Sequence, residues 1–451
     1  MTPRTSPSTP PPTHHRLLEQ RPALRPEILR SSALRRGPAV VHLVKDPRSG
    51  QSFEVGVKEH FLMSRLDGSR TLGEVGEEYA ARFGRRLGEA HWQQLLKLLW
   101  ERRLLEGAGG VESAGSAGGA GSSEPAVSGQ PTGAAPRKLV TGTLLKGTLR
   151  LAADATATTD RLYRAVGFAL APVVVVPVLL LVLGMETYVA VHAGAFLDDA
   201  VRLFRQPGAL LAAFTLLWAS TALHELAHGV VARHFGGTVG EIGLRWHLPM
   251  VFMYCTVENY PYLPTRRARV ATAAAGTVMN LAFLLPFWLL WSLLPGDDAA
   301  RGPLAGLLFT GSVLALTNLV PLPPLDGYKM LGQALGMADY ATESRRFLRL
   351  LGARAVRRGD GVAAYPRSAR IAYTAYGLGA VLLVGGSGAG LVLLSHHLAG
   401  NRYGLWAAVV PALLVAALVA VTGPWARRGD RHPQTSSAPR NATRNTPRKK
   451  S

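Results

Sequence analysis

Cysteine is almost missing from this chain: Cys255 is the only one in 451 residues, which excludes an intrachain disulfide and a thiolate metal cage. Cys255 itself reads as a small buried hydrophobe. Acidic residues are scarce too, 29 against 50 Lys and Arg, leaving a formal net charge of +21. Such an excess would suit nucleic acid, but no zinc-finger, RNA-recognition or homeodomain motif accompanies it, so no nucleic-acid partner is expected. The arginines gather in the N-terminal region, in loops beside apolar runs and in the tail. That distribution fits cytoplasmic loops facing anionic lipid headgroups. The first residues, MTPRTSPSTPPPTHH, lack the apolar core of a signal peptide and read as a disordered arm over 1–20. His14 and His15 read as solvated tail histidines.

What is abundant is apolar sequence in long runs between about 165 and 422. Six membrane spans can be drawn, at 165–185, 208–235, 268–294, 303–322, 370–394 and 403–422. With the N-terminus inside, the cytoplasmic segments receive Arg161 and Arg164, then Arg266, Arg267 and Arg269, then the Arg345 to Arg370 run, then the tail from 423 to 451. The positive-inside rule therefore places both termini in the cytoplasm of an integral membrane protein, expected in a bacterial cytoplasmic membrane.

Residues 21–106 have instead the mixed composition of a small soluble domain. Val40 to Val44 and Ser52 to Val57 flank the turn Asp46-Pro47-Arg48-Ser49-Gly50, predicting a β-hairpin. Helical patterns follow over Lys58 to Leu66, Leu72 to Arg82 behind the capping box Thr71/Glu74, and Glu89 to Arg102. The fold expected is mainly α, a polytopic membrane protein of about six transmembrane helices carrying a small α+β winged-helix-like N-terminal domain. Residues 107–137 form a Gly/Ser/Ala linker that predicts a tethered, freely searching domain. Residues 138–164 read as a juxtamembrane segment of open structure.

The register Val44-Lys45-Asp46-Pro47, Phe53-Glu54-Val55-Gly56, Leu66-Asp67-Gly68 and Thr71-Leu72 resembles the PqqD-like peptide-binding domains. In that family a leader peptide adds as a strand to the hairpin edge, so the resemblance implies a peptide partner.

The run 208–235 contains Leu223-His224-Glu225-Leu226-Ala227-His228-Gly229, an HExxH motif in an otherwise apolar helix. At i and i+4 the two imidazoles project from one face and can ligate one metal, with Glu225 beside them as a base. Three ionisable groups at hydrocarbon depth are costly unless ligated, paired or hydrated. A catalytic tetrahedral zinc needs a third protein ligand. His234 points away by helical phase if the helix continues to Gly236, His247 lies in an irregular loop and stays open, and Asp326 sits in Asn318-Leu319-Val320-Pro321-Leu322-Pro323-Pro324-Leu325-Asp326-Gly327. Prolines at such depth imply unwound backbone in a protein-lined cavity, where an aspartate is most simply a ligand. Between the two motifs, Gly276 allows close helix packing, and Asn280 could donate to a substrate carbonyl or serve as interhelical glue.

Taken together, the HExxH span, the small-residue helix with Asn280 and the NxxPxPxLDG segment resemble the site-2 protease family of intramembrane zinc proteases. The resemblance covers about residues 208–335. It implies zinc held by His224, His228 and Asp326, general-base catalysis by Glu225 and substrate positioning by Asn280. Thr277 stands where that family usually has Pro. The stretch Val239 to Tyr262 reads as an irregular β-hairpin, which the family would lay against the membrane as an edge for extended substrate. The activity implied is zinc-dependent peptide hydrolysis near the cytoplasmic side of the membrane, on a ribosomal peptide or precursor. The alternatives are a transmembrane regulator as substrate, or a non-catalytic docking or export component.

Overall fold

The computed structural model of the chain describes residues 17–106, 140–152, 154–247, 250–355 and 361–404, together with 409, 410, 412 and 413. Most of the expected arm with His14 and His15, the linker over 107–137, nearly all of the sixth span and the basic tail lie outside the described residues.

In the N-terminal domain the hairpin forms where the turn signal predicts. Strands β1 (Leu29–Arg30) and β2 (Leu34–Arg36) lie on one edge of β3 (Ala39–Lys45), and β4 (Ser52–Gly56) on the other. The Asp46 carboxylate closes the β3–β4 turn by accepting from the Arg48 N–H at 3.1 Å and the Ser49 hydroxyl at 2.9 Å. Gly50 supplies the positive φ of +69° that the turn requires. Three helices follow, α1 (Val57–Met63), α2 (Leu72–Phe83) and α3 (Glu89–Glu101). The Thr71/Glu74 capping box is formed: each residue's side chain accepts the other's backbone N–H, at 3.2 and 2.8 Å. Val44, Leu62, Met63, Leu72, Val75, Trp92 and Leu99 make a core of large side chains. The strands β1 and β2, two and three residues long, are too short to leave a periodic signal.

The rest of the chain is mostly helical. Its elements are β5 (Val140–Gly142), β6 (Lys146–Arg150), α4 (Ala155–Val166), α5 (Pro172–Val191), α6 (Ala193–Leu203), α7 (Pro207–His234), β7 (Val239–His247), β8 (Met250–Val257), α8 (Arg266–Leu293), α9 (Arg301–Thr317), α10 (Asp326–Leu335), α11 (Tyr340–Ala355) and α12 (Arg367–Tyr403). Of the described helices, 4 are long and apolar enough to cross a membrane: α5, α7, α8 and the Arg367–Gly390 part of α12. Among the described residues four of the six expected spans are thus seen. The first begins at Pro172 rather than 165, because the preceding residues form the separate helix α4, capped by the Asp154 carboxylate on the Ala157 N–H. The fourth, expected over 303–322, stops at Thr317 after 17 residues. At about 1.5 Å per residue that is shorter than a hydrocarbon core of about 30 Å. Pro321, Pro323 and Pro324 deny the helix its donors, and the Gly327 N–H turns back to the Asn318 carbonyl at 2.7 Å.

Strands β5 to β8 form one antiparallel sheet in sequence order. The β7–β8 hairpin is the one expected, whereas β5–β6 fills a stretch with no strand signal and pairs along β7 from Lys146↔His247 to Arg150↔Gly243. The N-terminal domain rests against this part of the chain. The Lys45 ammonium donates to the Glu258 carbonyl at 3.2 Å and to Asn259 at 3.3 Å. From Thr374 onward the chain forms a second compact unit, whose described residues continue α12.

Candidate metal centre

The HELAH segment lies in the C-terminal half of α7, which continues unbroken to His234. His224 and His228 are both buried and one turn apart. Their Nε2 atoms are 3.1 Å from each other, and each faces the same Asp326 oxygen, Oδ2, at 3.0 and 3.1 Å. Asp326 opens α10, and its neighbour Gly327 leaves no room for a side chain, since a Cβ there would overlap the Leu319 carbonyl. The closed 318–327 loop therefore delivers the carboxylate to the imidazoles.

Three donor atoms at this spacing fit one metal ion. Zinc bonds of about 2.0–2.1 Å in a tetrahedron separate neighbouring donors by about 3.3 Å. The chemistry of the set agrees. His228 donates its Nδ1–H to the Thr272 carbonyl at 2.6 Å, so its Nε2 in the neutral ring presents a lone pair to a carboxylate oxygen. Two acceptors in contact repel unless a cation or a proton lies between them. Among the described residues, His224, His228 and Asp326 are the group of three able to hold a metal ion.

Helix α8 backs the imidazoles with one stripe of residues. Thr272 orients His228 and is followed a turn later by Gly276, where any Cβ would fall inside the His224 ring. A further turn on, Asn280 accepts a hydrogen bond from the Ser220 hydroxyl at 3.0 Å through its Oδ1, leaving its amide hydrogens to donate elsewhere. Asn280 is thus buried one turn beyond Gly276 on the same face of α8. Thr277 is buried within the uninterrupted helix α8.

Glu225 is half-buried, and its carboxylate accepts the Cys255 backbone N–H of β8 at 3.1 Å. Further along the same edge the Trp218 indole donates to the Val251 carbonyl at 2.8 Å. Strand β8 therefore lies along α7, with Glu225 between strand and helix. The competing ligands fall elsewhere. His234 pairs with the Tyr163 hydroxyl at 3.0 Å, as helical phase requires, and the His247 backbone sits at the hairpin end opposite Met250, beyond Trp218 rather than beside Glu225.

Lys329 is a functional neighbour that sequence reasoning missed. Its ammonium donates to Asp326 Oδ1 at 2.9 Å, leaving Oδ2 alone to face the imidazoles. The i,i+3 spacing of Asp326 and Lys329 was the available signal.

The chain matches no protein-family model, no curated protein sequence and no solved structure.

Proposed function

We propose that this protein is a membrane-embedded zinc-dependent endopeptidase of the site-2 protease kind. The observation that carries the reading is the convergence of His224 Nε2, His228 Nε2 and Asp326 Oδ2 on one point, with Glu225 adjacent on the same helix. A zinc ion held by these three would polarise the scissile carbonyl and acidify the attacking water. Glu225 takes the proton of that water as its oxygen bonds to the carbonyl carbon, then returns it to the amide nitrogen as the C–N bond breaks. Asn280, with its carbonyl held by Ser220, has its amide hydrogens available for the substrate carbonyl.

The hairpin supports a particular way of binding. An extended substrate laid along β8 competes for the Cys255 N–H that now occupies Glu225. Substrate binding and release of the general base then become one event. Helical substrate cannot do this, because its backbone groups are already paired.

A peptide or peptide precursor recognised by the N-terminal domain is the favoured substrate. In the N-terminal sheet, β4 has a partner only on its β3 side among the described residues, so its outer edge is open to strand addition. The deciding experiment compares wild type with Glu225→Gln in liposomes, reading zinc content and cleavage products by mass spectrometry. The variant should keep its metal and lose about 10²- to 10⁴-fold in rate. Cleavage at the wild-type rate would falsify the assignment, and a wild type without stoichiometric zinc would favour a docking or export component.

A further inference from the structure

Among the elements that the N-terminal domain touches is the far end of the helix that carries Asp326. Helix α10 has the metal-facing aspartate as its first residue and ends at Gly336 with a φ of +63°. Immediately beyond, the chain becomes a short strand on the N-terminal sheet. Arg35 of β2 donates its N–H to the Gly336 carbonyl at 2.8 Å and accepts the Ala338 N–H at 2.9 Å, a parallel bridge to Met337. The sheet edge that β2 would have left open is filled in this way. Arg36 adds an ion pair to Asp339, and the Gly37 N–H donates to the Tyr373 hydroxyl at 3.0 Å.

Arg269 makes the second connection. It is 2 % exposed, and its guanidinium reaches three elements: Nε donates to the Gln333 side chain in α10 at 2.6 Å, Nη1 to the Leu263 carbonyl at 2.7 Å, and Nη2 to the Ser32 hydroxyl of the N-terminal domain at 2.8 Å. All three acceptors are neutral, and one of them, Ser32, is supplied only while the domain stays docked. Arg269 stands on the α8 stripe that continues through Thr272 at His228 and Gly276 at His224. Both helices that shape the metal centre thus have their near ends fixed to residues 32–37.

We propose that docking of the N-terminal domain holds α10, and with it Asp326, in the ligating position, which makes the domain part of the metal centre and not solely a recognition module. The proposal rests on the reading of His224, His228 and Asp326 as metal ligands. Asp326 is the only one of the three outside α7, so its placement depends on how α10 is held, by the closed 318–327 loop at one end and by the N-terminal domain at the other. A domain that releases β2 loosens the carboxylate while leaving the His pair intact.

The test uses the full chain in detergent, with Zn2+ as the probe and chelator competition as the readout. Asp339→Lys sets two cations against each other at the joint. Arg35→Pro removes the donor to Gly336, a group that faces away from β3, and so spares the β2–β3 ladder. The combined R35P/D339K protein should bind zinc at least about tenfold more weakly than wild type, the effect typical of lost support around a ligand. Hydrogen exchange across 326–338 should rise with it. Arg36 also pairs with Glu54, so the charges are exchanged in a Glu54→Gln background. There Arg36→Glu with Asp339→Lys should return the affinity of D339K to within about twofold of wild type, which a general loss of folding would not allow. Equal zinc affinity in wild type and R35P/D339K overturns the proposal. A wild type that fails to bind zinc at all overturns the site reading beneath it, a separate result.

Discussion

The N-terminal domain and the helices around the metal centre are packed in opposite ways. In the first, large side chains face inward, with Trp92, Leu72 and Leu99 all nearly inaccessible. In the second, helix contacts are made by small residues, Ser220, Ala227 and Gly229 on α7 and Ala268, Thr272, Ala273, Ala275 and Gly276 on α8. Many large apolar residues of this part point outward: Leu180 on α5 is 63 % exposed and Leu293 on α8 is 74 % exposed. One solvent rewards burial of large apolar groups, and the other gives no such reward, so close backbone approach holds the helices together. The polar ligands sit where the helices come closest, because only there are they screened from hydrocarbon.

Three experiments press on this contrast. Trp92→Ala should have the largest effect, about 3–5 kcal/mol on the N-terminal domain, read as loss of its cooperative transition in chemical denaturation of the full chain. A cost under about 1 kcal/mol would mean that this core is not what stabilises the domain. Leu180→Arg should cost about 3 kcal/mol, not in folding but in insertion, read by glycosylation mapping of α5. The same change at half-exposed Trp100 of the N-terminal domain should cost about 1 kcal/mol or less. Similar costs at the two positions would remove the distinction between lipid-facing and water-facing surface.

The smallest effect concerns pH. His60 stacks on buried His42 with 3.6 Å between ring centroids. Desolvation, then the neighbouring His42 and Arg30, push the His60 imidazole down from 6.5 to about 4. Between those values the unfolded chain takes a proton that the folded domain refuses, so this contribution to stability is complete above pH 6.5 and is lost as pH falls towards 4. The denaturation midpoint of the domain should drop between pH 7 and pH 5, and His60→Phe should flatten that dependence. An unchanged slope in His60→Phe would assign the acid sensitivity to another group.

Much of this was legible in the sequence because the signals were local. HELAH places two imidazoles on one helical face, the Thr71/Glu74 box starts α2, and the prolines of 321–324 end α9 before Asp326. Gly276 and Asn280 also fall on the face their spacing from Thr272 allows. What stayed hidden depends on distant partners. Strands β1 and β2 exist only as additions to β3, and β5–β6 only as additions to β7. Arg269 reads by composition as one more cytoplasmic charge at the start of a span, yet its donors are consumed by Leu263, Gln333 and Ser32. A count of charges per loop cannot separate an arginine that faces headgroups from one that joins two domains.

The joint at Arg36 and Asp339 links residues 303 positions apart. At a synthesis rate of about 5–20 residues per second, the N-terminal domain, finished at residue 106, is complete for roughly 12–47 s before Asp339 follows it out of the ribosome. Throughout that interval the backbone of β2 is an open template for any passing strand. Two consecutive arginines, Arg35 and Arg36, occupy it, and charge on an edge strand discourages pairing between copies. The same residues that later fasten the domain in place thus guard the nascent chain against aggregation while it waits.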